Sequence, residues 1–248
     1  MAFIAPFRSP FSNPFPKEGG AAAATYAEIL RDTYGASEIW PLVNISSGTT
    51  ISAFINSARN GTLTGWDLQN TAGPVTGTLA PYIDGTNDAG NILSASLTSI
   101  WSATEGGMLI WGNVSAWSGA FRTALSFYDG SSRAQIQKHN DNLIMRFYAG
   151  ADFGQGALPT TGAWHSYGIR WSNSENLIAY TIDGVQQDTD IGLSLPSTID
   201  LAGIGEIGNG TLIWAGWLAY AAIWAGSAPS VADFLAMHNA AATAGADT

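Results

Sequence analysis

The stretch from Trp164 to Val185 constrains the fold of this chain more than any other. From Trp164 to Trp171 the residues alternate: Tyr167, Ile169 and Trp171 fall on one face, and Trp164, Ser166, Gly168 and Arg170 on the other. That period of two is the pattern of a half-buried strand. Leu177 to Ile182 forms a second apolar run, followed by Asp183-Gly184 and Val185. An Asp-Gly pair supplies the positive backbone angles of a tight two-residue hairpin turn. A chain that makes this hairpin is committed to an antiparallel sheet.

The same punctuation recurs along the chain. Asp84-Gly85 follows a short strand at Tyr82-Ile83, and Asp129-Gly130 joins Ala124–Tyr128 to Arg133–His139. Asn140-Asp141-Asn142 leads into Leu143–Tyr148, and Gly107–Trp111 and Ile92–Ile100 read as further strands. Ile39–Leu42 begins another, and residues 44–77 read as short strands with turns at Asn60-Gly61 and Ala72-Gly73-Pro74. Helix is expected at two places only. One is Ala21–Tyr34, ended by Gly35; the other is Ser227–Ala242, with Pro229 in its first turn and Val231, Phe234, Leu235 and His238 at helical spacing. Strands about every ten residues, without alternating helices, predict an all-β sandwich or barrel. The 29 glycines and 10 tryptophans agree with many strands joined by tight turns.

From Ile207 to Ala232 no residue is charged. Gly208, Gly210, Gly216, Gly226 and Pro229 interrupt this run and no Lys or Arg flanks it, so a strand buried on both faces is expected rather than a membrane span. The net charge is −10, and no Lys or Arg follows Arg170. Such a surface is a poor partner for nucleic acid. Cysteine is absent, which removes disulfides and thiolate metal ligation.

The first segment has its own repeat, in which Pro6-Phe7, Pro10-Phe11 and Pro14-Phe15 recur every four residues. Its prolines exclude regular helix and central strand, so residues 1–20 are expected as an extended, polyproline-like arm before a sandwich at 21–248. No continuous apolar stretch marks a cleaved secretory signal there. The arm could dock Phe7, Phe11 and Phe15 onto its own sandwich or onto a neighbouring subunit.

Groups that could carry chemistry are sparse. The six glutamates, at 18, 28, 38, 105, 175 and 206, stand singly, whereas glycoside hydrolysis needs two carboxylates flanking one bond. Asp188 and Asp190 follow a hairpin turn, where solvation explains them. His139, His165 and His238 lack metal-ligand spacing, and His165 has no Gly-x-Ser-x-Gly nucleophile to serve. Its expected place is at a strand edge, as a hydrogen-bonding group. Sugar binding is the remaining chemistry, because a flat aromatic face beside polar groups suits a sugar ring. Trp66, Trp111, Trp117 and Trp164 are candidate platforms by residue type, and the core competes for each of them.

Five segments, in order, resemble the concanavalin A-like and laminin G-like jelly-roll family. They are Tyr26 to Leu42, Tyr82-Ile-Asp84-Gly85-Thr-Asn87-Asp88, Glu105 to Gly112, Trp164 to Gly184, and Gly216 to Trp224. The resemblance implies a jelly-roll β-sandwich. It also implies a non-enzymatic virion structural protein (head decoration, fibre or tail component), attached to other virion proteins through the arm and homo-oligomeric. The alternative it implies is a lectin-like module that binds host-surface glycans. Relatives carry acidic residues in the closing strand, where this chain has Trp217-Leu-Ala-Tyr-Ala-Ala-Ile-Trp224. That departure counts against a family-type calcium site; no cofactor is expected, and any calcium ion would fall to turn carboxylates such as Asp84 and Asp88.

Overall fold

The computed structural model of the protein describes residues 22–45, 48–117, 120–139, 144–148, 152–191 and 194–247. Helix α1 (Tyr26–Asp32) is shorter than the expected 21–34. A capping box starts it: the Thr25 hydroxyl accepts from the Glu28 amide, and the Glu28 carboxylate accepts from the Thr25 amide. Thr25 also bridges Gly245, whose amide donates to the Ala24 carbonyl oxygen at 2.9 Å, so the chain is paired with the C-terminal segment just before the helix. Gly35, at φ +68°, lets the chain turn away.

Strands β1 (Glu38–Trp40), β2 (Thr50–Ile51), β3 (Gly61–Thr64), β4 (Asp67–Ala72), β5 (Leu79–Asp84) and β6 (Ala89–Asn91) follow. Gly61 opens a strand and is not part of a turn. A Cβ there would lie 2.6 Å from the Asn91 carbonyl oxygen, so glycine allows β3 to approach β6. Residues 92–100, expected as strand, contain helix α2 (Ala95–Ile100), because the Ser94 hydroxyl caps the Leu97 amide and Leu97 fills the core beneath.

Next come β7 (Glu105–Asn113), β8 (Arg122–Tyr128), β9 (Arg133–Lys138), β10 (Ile144–Tyr148), β11 (Asp152–Ala157), β12 (His165–Ser172), β13 (Leu177–Ile182), β14 (Val185–Asp190), β15 (Leu201–Ile204), β16 (Ala215–Ala225) and helix α3 (Val231–Ala240). The β13–β14 turn is as expected, with Asp183 at φ +53° and Gly184 at +71°. Pro229 precedes α3 and lies outside its first turn, because Ser230 is the cap and forms a capping box with Asp233. The packed face of α3 is Phe234 and Met237, whereas Leu235 is 43% exposed.

The strands form two antiparallel sheets. The first runs β14-β13-β12-β7-β16-β5-β4, with β1 also on β16, and the second runs β11-β10-β9-β8-β15-β6-β3-β2. Between them lies the main core, including Met108, Ile110, Phe127, Ile136, Ile169, Trp171 and Trp214. A second core covers the outer face of the first sheet, where Leu109, Trp111, Tyr220, Ala222 and Trp224 meet Tyr26 and Leu30 of α1 and Phe234 and Met237 of α3. The first sheet is thus buried on both faces over much of its length.

This second core has two consequences. The closing strand β16 is apolar on both faces, as its uncharged run predicts. Strand β12, expected to be half-buried, is covered on both sides; a Cβ at Gly168 would meet the Phe234 ring at 2.5 Å. Beside β1, the fully buried Glu38 carboxylate accepts from the amides of Ile39, Ile55 and Asn56 and pairs with Arg59 at 3.1 Å.

Candidate functional site

The helices cover the outer face of the first sheet only in part. On β7, Leu109 and Trp111 lie beneath them, and Asn113 is the next residue on that face. On β16, Tyr220, Ala222 and Trp224 are covered, while Trp217 is half-buried. Register places Asn113, Trp217, Tyr82 and Asp67 in one row across β7, β16, β5 and β4, each paired with the next. Residues directly paired across antiparallel strands share a face. Gly216 helps to set this row: at φ +143°, a Cβ would lie 2.2 Å from the Asn113 carbonyl oxygen.

The row is an aromatic pair between two polar side chains. The rings of Tyr82 and Trp217 are 5.0 Å apart with planes at 57°, and both residues remain partly exposed. Asp67 is exposed, whereas Asn113 is 6% exposed. Two buried polar atoms here have no hydrogen-bond partner, the Asn113 Oδ1 and the Trp217 Nε1. One is an acceptor and the other a donor, and buried groups of this kind are normally satisfied.

Beyond Tyr82 the face continues through Asp84, paired with Ala215, to the rim of the sandwich. There a cleft of about 480 Å³ is lined by Gly85, Thr86, Phe121, Arg122, Gly210 and Thr211, among others. Arg122 holds two of its walls together, its Nη1 donating to the carbonyls of Gly85 (2.9 Å) and Ile213 (2.8 Å). Gly85, at φ +81°, leaves room for this: a Cβ there would lie 2.8 Å from that nitrogen and 2.9 Å from the Ala215 methyl.

The turn carboxylates considered for calcium hold the backbone. Asp84 Oδ1 accepts from the Thr86 amide and Asp88 Oδ2 from the Asp84 amide, both at 2.6 Å. Burial raises the Asp88 carboxyl above its ordinary range and nearby Asp84 and Asp67 add to this, against the lowering effect of the Asp84 amide. Among the described residues, no three His, Cys, Asp or Glu side chains gather as a metal site.

Of the four candidate tryptophans, two are closed off as platforms and two are half-buried. Trp66 and Trp111 are buried, at 8% and 4% exposure. The Trp111 Nε1 donates to the Tyr26 hydroxyl, which donates in turn to the Met237 carbonyl oxygen. Trp117 packs edge-on against Trp214 and donates to the Pro159 carbonyl oxygen. Trp164 is partly buried against the second core, with its Nε1 engaged by the Ala72 carbonyl oxygen at 2.8 Å. Phe7, Phe11 and Phe15 lie outside the described residues, as does the turn at 140–142.

Sequence reasoning passed over Tyr82 and Trp217. Trp217 sits in the uncharged run that reads as core on both faces, and only the cross-strand register pairs it with Tyr82 at the uncovered end.

His165 takes the expected strand-edge place within a larger cluster. Its Nδ1 lies 2.7 Å from Asp183 Oδ2, and its Nε2 meets the Thr160 carbonyl oxygen at 3.0 Å. His238 stacks on Trp111 and places its Nδ1 3.0 Å from the Ser166 hydroxyl and 3.6 Å from Asp183 Oδ1. Ser166, His238 and Asp183 do not form a catalytic relay. Serine and aspartate both face the same imidazole nitrogen, whereas a relay needs opposite ones, and Ser166 is 1% exposed.

The titrations of this cluster follow from its contacts. Burial lowers the His165 pKa, but Asp183 and the Thr160 carbonyl outweigh it and leave the imidazole above its ordinary value. Burial dominates at His238 and, with His165 nearby, leaves it below its ordinary value despite Asp183. Burial raises Asp183, but His165, the Ser166 amide and His238 bring it below the usual carboxylate value.

No family model and no curated protein sequence matches this chain. Solved structures do match, and they show the fold. Domain 4 of AbnA, an extracellular arabinanase from Geobacillus stearothermophilus, in complex with arabinotriose, superposes with TM-score 0.63 at 14% identity, covering 82% of this chain and 98% of that one. Trypanosoma rangeli sialidase in complex with sialic acid gives 0.62 at 8% identity; the match covers 85% of this chain but 34% of the sialidase, so this chain spans about a third of that enzyme. The CBM40 domain of the Ruminococcus gnavus IT-sialidase, bound to α2,6 sialyllactose, gives 0.51 at 11% identity, covering 64% and 96%. The architecture is the all-β sandwich that the sequence predicts, of the kind seen in these carbohydrate-binding and glycosidase-associated domains.

Proposed function

We propose that this protein is a glycan-binding module that holds sugars on the uncovered end of its first sheet. The observation that carries the reading is the row Asn113–Trp217–Tyr82–Asp67, a half-exposed aromatic pair set between an amide and a carboxylate. Aromatic faces pack against the C–H faces of a sugar, while its hydroxyls both donate and accept. The neighbours crystallised with arabinotriose and sialyllactose support a carbohydrate ligand for a domain of this shape, although fold alone does not fix function.

The reading is of binding, with the exposed carboxylates Asp67 and Asp84 on this face serving as acceptors for sugar hydroxyls. A virion structural role would rest on the arm and its phenylalanines at 7, 11 and 15, outside the described residues, and none of the named neighbours is a virion protein.

A glycan array followed by calorimetric titration tests the proposal. Reproducible binding should be lost in Trp217→Ala and retained in Val185→Ala, a control at a 58% exposed position on β14. Wild-type protein that binds no glycan on the array, or Trp217→Ala that binds normally, refutes it.

A further inference from the structure

We infer that the ligand is an uncharged oligosaccharide of several rings, which runs from the Tyr82–Trp217 pair past Asp84 and Ala215 into the cleft beside Arg122. This rests on the glycan reading and goes further, because it names the class of sugar and the path it takes.

Continuity is the first argument. Tyr82, Asp84, Gly85 and Thr86 follow one another from the aromatic row to the cleft, and the intervening pair is Asp84 with Ala215. Of that pair, Ala215 presents only a methyl. A Cβ on Gly85 would touch both the Ala215 methyl and Arg122, so the path and the cleft wall meet at one glycine.

Length is the second argument. Tyr82 and Gly85 are three residues apart on an extended backbone, or roughly 10 Å. One ring stacked on Trp217 cannot also enter the cleft, whereas a linked chain can occupy both. The cleft lining again combines an aromatic residue with hydroxyls: half-buried Phe121, whose ring meets His139 edge-on, and the exposed residues Thr86 and Thr211, the latter donating to Asn209 Oδ1.

Charge is the third argument. Asp67 and Asp84 are exposed along the path, and the protein carries a net charge of −10. Arg122 keeps its charge while its Nη1 donates to two backbone carbonyls, so one cation of the cleft wall stands against the two carboxylates of the path. Carboxylates accept bonds from sugar hydroxyls but repel a carboxylated sugar, so the path selects neutral chains over uronic or sialic acid chains.

Calorimetry with linear neutral oligosaccharides, from disaccharide upward, and with their sialylated or uronic counterparts tests this. Affinity should rise by about tenfold or more with chain length. The double variant Thr86→Ala/Thr211→Ala should lose that gain yet bind disaccharide as wild type does, and its melting temperature reports folding. Acidic counterparts should bind about tenfold more weakly, and Asp84→Asn should narrow that gap. Affinity independent of length, a double variant that keeps the gain, or acidic chains that bind as well as neutral ones would overturn the inference. Those failures leave disaccharide binding intact, whereas no binding at all defeats the glycan reading itself.

Discussion

Two glycines, each in an Asp-Gly turn, separate backbone strain from tertiary packing. Gly130 (φ +88°) and Gly184 (φ +71°) both occupy the left-handed region, where an alanine costs about 1–2 kcal/mol. Around Gly130 nothing lies within 4 Å of a Cβ, so Gly130→Ala should cost that amount and no more. At Gly184 the Cβ would lie 2.2 Å from the Leu235 Cα and 2.6 Å from its nitrogen, which are backbone atoms of α3. Ordinary contact begins at 3.4 Å, so the helix must retreat by 1.2 Å, the difference between 3.4 and 2.2. That retreat loosens Phe234 and Met237, each buried at 1% exposure or less. Full burial of such a side chain contributes about 1.5–3 kcal/mol, and losing part of it at both positions adds about 2–3 kcal/mol to the strain. Gly184→Ala should therefore be less stable than Gly130→Ala by about 2–3 kcal/mol, or roughly 4–12 °C in melting temperature. Urea denaturation followed by tryptophan fluorescence measures the difference. Near-ultraviolet circular dichroism should change in Gly184→Ala alone, because Trp224–Phe234 and Trp111–His238 are ring contacts to α3. Equal stabilities within about 0.5 kcal/mol, or an unchanged near-ultraviolet spectrum, would refute the docking of α3 on this turn.

Glu38→Ala should destabilise by about 3–5 kcal/mol in urea denaturation, because it leaves Arg59 and three backbone amides without their buried carboxylate; a loss below about 1 kcal/mol, the range of a surface pair, would contradict its placement. The histidines should titrate in a set order. His165, raised, adds stability that is complete below 6.5 and fades as pH rises through its folded pKa; His238, lowered, adds stability that is complete above 6.5 and fades as pH falls through its folded pKa. Imidazole resonances followed by NMR on acidification should show His165 protonating before His238, and His238→Asn should flatten the loss of stability below pH 6.5. The reverse order would mean that Asp183 serves His238 instead.

The chemistry of the proposed site was only partly legible in the sequence. Residue type pointed to tryptophan beside polar groups and named Trp66, Trp111, Trp117 and Trp164, each of which is buried or has its indole nitrogen bonded to another part of the chain, while Trp217 read as part of the closing strand. What distinguishes Trp217 is that α1 and α3 end their cover before its row. Helix cover is a property of how distant segments pack, and nothing within residues 26–32 and 231–240 says which part of the sheet they will lie on. The strand expected at 92–100 failed for a local reason, since Ser94 caps Leu97 and an apolar run of that length fits helix or strand equally well.

The sequence by itself determined the all-β class, the Asp-Gly hairpins at 129–130 and 183–184, an apolar closing strand within the uncharged run 207–232, and the helical C-terminal segment. These depend on short-range physics: alternation with period two, the positive φ that Asp-Gly tolerates, and the absence of charge. Only the tertiary structure decided that the first sheet has a second core on its outer face, and that this core ends at Asn113, Trp217, Tyr82 and Asp67. Those four residues span 151 positions of the chain, from 67 to 217, and only strand register brings them into one row.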